Sequence, residues 1–457
     1  MNMNLLDKYN VRGPRYTSFP TVPHWDDKNF SLKKWKNEIK NTFVNYNDDE
    51  GISLYIHLPF CEQMCTFCGC HKRITRRHDM EMPYITAVLT EWNLYLEILP
   101  KKPIIKELHL GGGTPTFFSP ENLSFLITSL LKTAIVPKNK HFSFEGHPNN
   151  TTREHLQTLY NIGFRRVSFG VQDYNPIVQK AIHRVQSFES VKQVSDMARE
   201  IGYTSVGHDI IFGLPFQTQK HIEKTMAYTE EVKPDRIAFY SYAHVPWIKG
   251  NGQRGFLEKD IPNALEKRAQ YVLGKKHLEQ MGYQEIGMDH FALPEDSLIK
   301  AAENKLLHRN FMGYTSSKTH LMIGLGVSSI SDSWTAFAQN TKSIEEYQEL
   351  VKEGIIPVAK GHILSEKDEV IRKHILAIMC QLETSWAAEN LEFENLPLVL
   401  DSLTGMENDG LLQIDRKAQK LSITEKGRPF VRNACMAFDF YLDDDKNAEK
   451  PIFSKCI

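Results

Sequence analysis

No stretch of this chain approaches the roughly 20 consecutive apolar residues that cross a bilayer, and its start, MNMNLLDKYN, has no apolar segment behind a basic one. Neither a helical membrane span nor a secretory leader is expected, and the cytoplasm is the expected compartment. Surplus charge is missing too, since 55 basic residues stand against 56 acidic ones. No global field would draw the protein to nucleic acid or to an anionic membrane, so any acidic ligand must be met by local groups. Low-complexity tracts are lacking, and 41% apolar with 24% charged residues is the balance of a globular chain. Cysteine is scarce: seven residues, an odd number, four of them within 61–70, make a poor disulfide framework for 457 residues.

What the chain does contain, from residue 52 to about 243, is a repeated unit of short β-branched or aromatic run followed by helical stretch. The runs are Ile52 to Leu58, Glu107 to Leu110, Phe142 to Glu145, Arg166 to Val171, Ser205 to Phe212 and Arg236 to Tyr240. Thr151 with Glu154 forms a capping-box pattern at one helix start, and Gly163 and Gly202 stand where a helix end wants a left-handed residue. Strands alternating with helices call for crossover connections and a parallel sheet, and a complete or partial barrel is the expected α/β fold.

Barrel enzymes gather their chemistry at the C-terminal ends of the strands. Here each strand end carries polar or glycine residues: the cysteine loop after Leu58, Gly111-Gly112-Gly113-Thr114, Glu145, Gln172-Asp173, Asp209 and Tyr242-Ala243-His244. The length leaves room for a barrel-sized domain of roughly 250 residues or more and a smaller unit. We expect an N-terminal arm (1–45), a catalytic barrel with extensions (46–360) and a mainly helical C-terminal domain (361–457). In the last, Leu411 to Ile414 and Leu421 to Thr424 read as a winged hairpin. A wing suggests nucleic acid only by fold analogy, and without a basic cluster no nucleic-acid partner is expected.

Cys61, Cys65 and Cys68 follow x3 and x2 spacings in one loop, and Cys70 comes two residues later. Thiolates are soft donors suited to iron–sulfur clusters. Three of them leave one iron of a four-iron cluster open, and the single residue between Cys68 and Cys70 makes a fourth ligand awkward. A structural zinc using His57 or His71, a redox disulfide, or unligated buried cysteines are the alternatives.

The spacing Cys61-x3-Cys65-x2-Cys68 resembles the signature of the radical S-adenosylmethionine superfamily. Pro14-Arg15-Tyr16-Thr17-Ser18, Cys70, Gly111 to Thr116, Gly170-Val171-Gln172-Asp173, Gly213-Leu214-Pro215, Gly287 to Phe291 and His308-Arg309-Asn310-Phe311 are similar to stretches of the oxygen-independent coproporphyrinogen III oxidases. With Arg432-Asn433 to Tyr441, these landmarks span nearly the whole chain. The resemblance implies a partial parallel barrel of the radical SAM type and a [4Fe-4S] cluster on Cys61, Cys65 and Cys68. The open iron would chelate S-adenosylmethionine. Reductive cleavage would then give a 5′-deoxyadenosyl radical that takes hydrogen from propionate β-carbons of coproporphyrinogen III. Two propionates would become vinyl groups with loss of carbon dioxide, yielding protoporphyrinogen IX in haem biosynthesis.

The same resemblance assigns residues. Tyr55, Gly112, Glu145 and Ser329 would meet a first S-adenosylmethionine, and Phe67, Gly113, Thr114, Gln172, Arg184, Asp209 and Ala243 a second. Cys70 would be catalytic. Asp209 suits a ribose diol and Arg184 a carboxylate; each also has a bland reading as core, turn or ion-pair residue. Arg15 and Arg309 are candidate cations for the substrate propionates. Expected partners are coproporphyrinogen III and an electron donor, with no membrane, in a monomer. Two positions depart from the family: Gly146-His147-Pro148, where aspartate commonly precedes the proline, and His208 before Asp209, where an aliphatic is usual. A haem-trafficking chaperone of the same branch is the alternative function, and a radical methylase or haem-degrading relative a third.

Overall fold

The β-branched and aromatic runs become six adjacent parallel strands in the computed structural model of the chain, which describes residues 3–247, 252–253, 255–445 and 451–456. They are β1 (Ile52–Leu58), β2 (Ile105–Gly112), β3 (His141–Gly146), β4 (Arg166–Gln172), β5 (Ser205–Phe212) and β6 (Arg236–Ser241). Between them run α1 (Glu81–Leu96), α2 (Pro120–Leu131), α3 (Arg153–Ile162), α4 (Pro176–Ala181), α5 (Phe188–Ile201) and α6 (Gln219–Val232), and α7 (Ala264–Gln280) follows β6. Every residue of β1 is buried, as expected of a parallel strand covered on both faces.

Helix ends follow the local signals with one correction. Gly163 and Gly202 close α3 and α5 at φ 123° and 111°, a region that L side chains avoid. The start of α3 is shifted by one residue from the expected Thr151–Glu154 box. Thr152 is the cap, accepting from His155 N at 3.3 Å while His155 Nδ1 accepts from Thr152 N at 3.2 Å. Thr151 is drawn elsewhere because its hydroxyl donates to the His147 carbonyl at 2.9 Å.

Past β6 the sheet grows in both directions. The antiparallel pair β7 (Gln284–Gly287) and β8 (His290–Ala292) extends the β6 edge, and a hairpin of β9 (His308–Asn310) and β10 (Gly313–Thr315) stands apart. A seventh parallel strand, β11 (Met322–Leu325), pairs with β1 and places Gly324 opposite Tyr55. Beyond it lie β12 (Ile330–Asp332), β13 (Ala336–Asn340) and β14 (Val358–Ile363). The order is β14-β13-β12-β11-β1-β2-β3-β4-β5-β6-β8-β7, and among the described residues the end strands β14 and β7 do not meet, so the barrel is partial. The β9–β10 hairpin covers part of the concave face, where Thr315 Oγ1 donates to Glu107 Oε1 at 2.6 Å.

Two large apolar cores stand out among the described residues. In the larger one, Leu54, Ile56, Leu108, Leu110 and Phe144 pack under Val88, Trp92, Leu126 and Leu159, and Trp35, Ile39 and Phe43 of the N-terminal segment join them. The second unites Leu5, Tyr9, Tyr16 and Phe19 with Ile371, Ile375, Ile378, Phe430 and Phe438. Arg432 secures this union: its Nε donates to the Pro14 carbonyl at 2.8 Å and its Nη2 to the Gly13 carbonyl. Residues 11–13 also pair with 454–456, through Gly13 N to Ser454 O at 3.1 Å and Cys456 N to Val11 O at 2.8 Å. In the C-terminal region β16 (Leu412–Asp415) and β17 (Lys420–Ile423) form an antiparallel hairpin, with β15 (Glu383–Ser385) as a third strand.

Candidate active site

The loop after β1 is pinned from several sides. Thr66 N donates to Ile182 O at 3.0 Å and Thr66 Oγ1 to Ala181 O at 3.0 Å, which ties the loop to the end of α4. Gly113 N reaches Leu58 O at 2.9 Å and Thr114 N reaches Phe60 O at 3.0 Å. The Lys72 ammonium donates to the carbonyls of Cys68, at 3.1 Å, and Cys70, at 3.2 Å.

Cys61, Cys65 and Cys68 are free and half-buried, and Cys70 is free and exposed. Cys61 Sγ lies 3.3 Å from Thr114 Oγ1, and Arg184 Nη1 points at Cys65 Sγ from 3.8 Å. Burial pushes the Cys61 thiol up to about 11. A shared hydrogen bond with Cys70, aided by the Lys72 and Arg184 cations, holds Cys68 below the ordinary thiol range, while that same bond, the Cys68 charge and burial hold Cys70 above it.

This donor set fits a cluster. Three soft sulfurs share one loop, and the Lys72 and Arg184 cations beside Cys68 favour its thiolate. Among the described residues no three His, Cys, Asp or Glu side chains converge on one ion, and a four-iron cluster instead takes each sulfur on a different iron.

The glycine run next to the loop is sterically required. Gly112 has φ +115°, and a Cβ there would stand 2.9 Å from the His57 ring; one at Gly113 would stand 2.6 Å from the Pro59 carbonyl. Both positions therefore demand glycine whatever else they contact.

Side chains of period two line the concave face. The Tyr55 hydroxyl is 3.1 Å from His57 Nδ1, and His57 Nε2 is 2.9 Å from the His71 carbonyl. Burial lowers His57 to about 4, so the ring is neutral. His109 stacks on Tyr55 with centroids 6.0 Å apart, bonds Ser143 Oγ at 2.8 Å and approaches Glu145 Oε1 at 3.5 Å. The Glu145 side chain is 47% exposed at the rim. Ser168 Oγ donates to Asp209 Oδ1 at 3.1 Å, and burial, then the Glu145 charge, pushes Asp209 up to about 7. Arg184 Nη2 donates to the Gly170 carbonyl at 2.7 Å. Gln172 adopts φ +67° at a bulge of β4, held by buried Asp173, which accepts from Gln217 Nε2 at 2.7 Å. Phe67 packs against the cluster of Val178, Ile182 and Ile211, and the Ala243 carbonyl accepts from Gln253 Nε2 at 2.8 Å.

Phe67, Gly112, Gly113, Thr114, Glu145, Gln172, Arg184 and Ala243 thus belong to the same ends of β1–β6 as the cysteine loop or to the segments that follow them, and Tyr55 and Asp209 lie mid-strand in β1 and β5. Ser329 stands apart, in the turn after β11. It is 2% exposed, donates to Gly326 O at 2.7 Å and accepts from Asn340 Nδ2 at 3.1 Å. The unusual His208 turns away from Asp209 and bonds Ser195 Oγ at 3.0 Å, so it adds nothing to the polarity of the concave face.

The sequence reading took His57 only as a possible zinc ligand and missed His109 and Ser168. His57 lies two residues along β1 from Tyr55, so period two was the available signal there. Lys72 and Glu91 were missed as well. Buried Glu91 accepts from Gly326 N, Tyr347 Oη and Asn340 Nδ2 at 2.7 to 2.8 Å, and no local pattern marks it.

With this geometry in hand, comparison with known proteins is informative. A family model described as the radical SAM superfamily matches residues 55–229. The chain is 36% identical over 448 residues to the oxygen-independent coproporphyrinogen III oxidase of Helicobacter pylori, covering 96% of each chain. It is 35% identical to the enzyme of that name from Escherichia coli, covering 96% of this chain and 95% of the relative. The solved structure of the Escherichia coli coproporphyrinogen III oxidase, described as a radical SAM enzyme, superposes with a TM-score of 0.87 at 32% identity, covering 96% of this chain and 99% of the other. These relatives carry the oxidase name, and they give the chaperone alternative no support.

Proposed function

Because this chain belongs to the oxygen-independent coproporphyrinogen III oxidases of the radical SAM superfamily, we propose that the mouth of its partial barrel is the site of that reaction. The protein is an oxidoreductase that decarboxylates two propionates of coproporphyrinogen III to vinyl groups, giving protoporphyrinogen IX, with a [4Fe-4S] cluster and S-adenosylmethionine as cofactors. When bound, these cofactors supply one-electron cleavage of the sulfonium and hydrogen abstraction from the propionate β-carbon.

The residues named from the sequence take these roles in our reading. Cys61, Cys65 and Cys68 hold the cluster, and the missing fourth thiolate leaves one iron for the cofactor. Tyr55, Gly112, Glu145 and Ser329 belong to the first S-adenosylmethionine site. Glu145, acidic and half-exposed at the rim, can accept from an ammonium group, whereas buried Ser329 contributes through the turn it braces. Phe67, Gly113, Thr114, Gln172, Arg184, Asp209 and Ala243 form a second site, where the Arg184 fork faces the cysteine loop and Asp209 can accept from a diol. Cys70, exposed and raised above the usual thiol range, can deliver a proton or hydrogen atom near the cluster. An electron donor, a monomeric state, a cytoplasmic location and the division into arm, barrel and C-terminal domain complete the reading.

The observation that carries this reading is the convergence of three half-buried thiols with Glu145 and Asp209 at one end of the sheet. Anaerobic reconstitution with iron, sulfide and a reductant should give S-adenosylmethionine-dependent conversion of coproporphyrinogen III to protoporphyrinogen IX. Stable haem binding without turnover would sink it.

A further inference from the structure

A second cavity of about 60 Å³ lies just outside the end of β6, between α7, the turn after β7 and the C-terminal region. It admits small polar groups and not a macrocycle. Arg15, Lys267, Arg268, Arg428 and Arg432 line it, against only two acids, Glu285 and Asp289.

Partners among the described residues neutralise part of this set. Arg432 donates to backbone carbonyls of the arm, which fix its position without cancelling its charge. Arg428 Nε bonds Glu425 at 2.8 Å. Glu285 accepts from Lys275 Nζ at 2.5 Å and from Tyr271 Oη at 2.7 Å. What remains is Arg15, Lys267 and Arg268, with the Arg432 charge beside them, facing Asp289, whose Oδ2 lies 3.5 Å from Arg15 Nη1. The Lys267 ammonium has only the Tyr242 carbonyl, at 2.9 Å, and burial brings it down to about 8. Among the described residues Arg268 forms no hydrogen bond: its guanidinium lies over the Tyr271 ring at 5.0 Å and its Nε is buried without a hydrogen-bond partner. Cations held away from bulk water are normally paired, so this surplus of positive charge over Asp289 asks for an anion.

The cavity adjoins the reaction site. Arg15 Nη2 bonds the Ser241 carbonyl at 3.3 Å, one residue beyond Tyr240, which lines the concave face. Asp289 likewise precedes His290, which lines that face.

We propose that Arg15, Lys267 and Arg268 form a carboxylate subsite for the two propionates that coproporphyrinogen III keeps through the reaction. This rests on the substrate assigned above. Four propionates enter and two remain, and the retained pair stays negatively charged throughout the reaction. Chemistry separates the pairs: a carboxylate leaving as carbon dioxide loses its charge, so a tight ion pair would stabilise the ground state more than the transition state. Strong cations therefore belong on the propionates that do not react.

Fluorescence titration of the cluster-loaded full chain with coproporphyrin III (four propionates) and protoporphyrin IX (two) tests this. Lys267→Gln and Arg268→Gln should each weaken both porphyrins by a similar factor, on the order of tenfold or more. Lys267→Arg should retain binding, and cluster absorbance and melting temperature should match wild type. Unchanged affinities would overturn the proposal, as would weakening of coproporphyrin III alone, since that would put the reacting propionates in the cavity. Failure of the wild-type chain to convert coproporphyrinogen III would strike the substrate assignment instead, because the titrations measure carboxylate binding without turnover.

Discussion

Tyr55 and His57 are joined by a hydrogen bond of 3.1 Å whose direction is fixed. The other ring nitrogen meets the His71 carbonyl at 2.9 Å, which can only accept. The proton therefore sits on Nε2, and Nδ1 accepts from the Tyr55 hydroxyl. One neutral ring thus connects the first strand to the end of the cysteine loop. His57→Ala should strand both partners, destabilise the fold by about 1–3 kcal/mol and raise the KM for S-adenosylmethionine. Urea unfolding together with a cofactor titration would check this; a variant unchanged in both would show that the relay does not position Tyr55.

The thiols should separate into two classes. Alanine at Cys61, Cys65 or Cys68 removes a soft donor and should abolish both the visible absorbance of the cluster and cleavage of S-adenosylmethionine. Cys70→Ala should keep most of the iron and lose turnover, because Cys70 is exposed and outside the triplet. Iron analysis beside product quantification distinguishes the two, and loss of iron from Cys70→Ala equal to that of the other three would move Cys70 into the ligand set.

Asp209 carries a pH signature. Its folded pKa, about 7, lies above the ordinary 3.8 because of burial and the Glu145 charge. Between those values the folded state binds the proton more tightly than the unfolded state. Its ionisation therefore costs stability above pH 7, a cost relieved as pH falls through 7 towards 4. Asp209→Asn should stabilise the cofactor-free protein by about 1–3 kcal/mol at pH 8, flatten that pH dependence and weaken cofactor binding. A melting-temperature series from pH 5 to pH 8 gives the answer; parallel curves for variant and wild type would refute it.

Glu91 is a positioning residue. It gathers Gly326 N, Tyr347 and Asn340, and Asn340 in turn holds Ser329. Glu91→Ala leaves the buried Gly326 N–H and Tyr347 hydroxyl without their acceptor and should cost about 3 kcal/mol. If the Gly326–Ser329 turn serves the cofactor, binding of S-adenosylmethionine should weaken too, and Glu91→Gln should recover more of that binding than of stability. Equal loss of stability with unaltered binding would confine Glu91 to the core.

The parallel strands were legible because burial writes itself into short runs. Ile52–Leu58 and Ser205–Phe212 match the sequence reading residue for residue, and the other four differ only at their ends. The seventh parallel strand, Met322–Leu325, was not legible. It is four residues long and pairs with β1 across more than 260 positions, so its identity is decided by tertiary contact.

The site divided along similar lines. Cysteine spacing and strand-end polarity act over a few residues and are visible in one chain. Arg432 gripping Gly13 and Pro14, or Glu91 meeting Tyr347, depends on which distant segments pack together, and no local periodicity encodes it. The capping box moved by one residue because Thr151 found a closer partner in the His147 carbonyl.

The pairing of residues 11–13 with 454–456 has a temporal meaning. Synthesis runs from the N-terminus, and domains fold as they emerge. The barrel strands can pair early, whereas the arm bearing Arg15 waits for Arg432 and residues 454–456 before it is held beside Ser241. A nascent chain that has not reached Arg432 would carry its cysteine loop and barrel strands without the arm fixed against them.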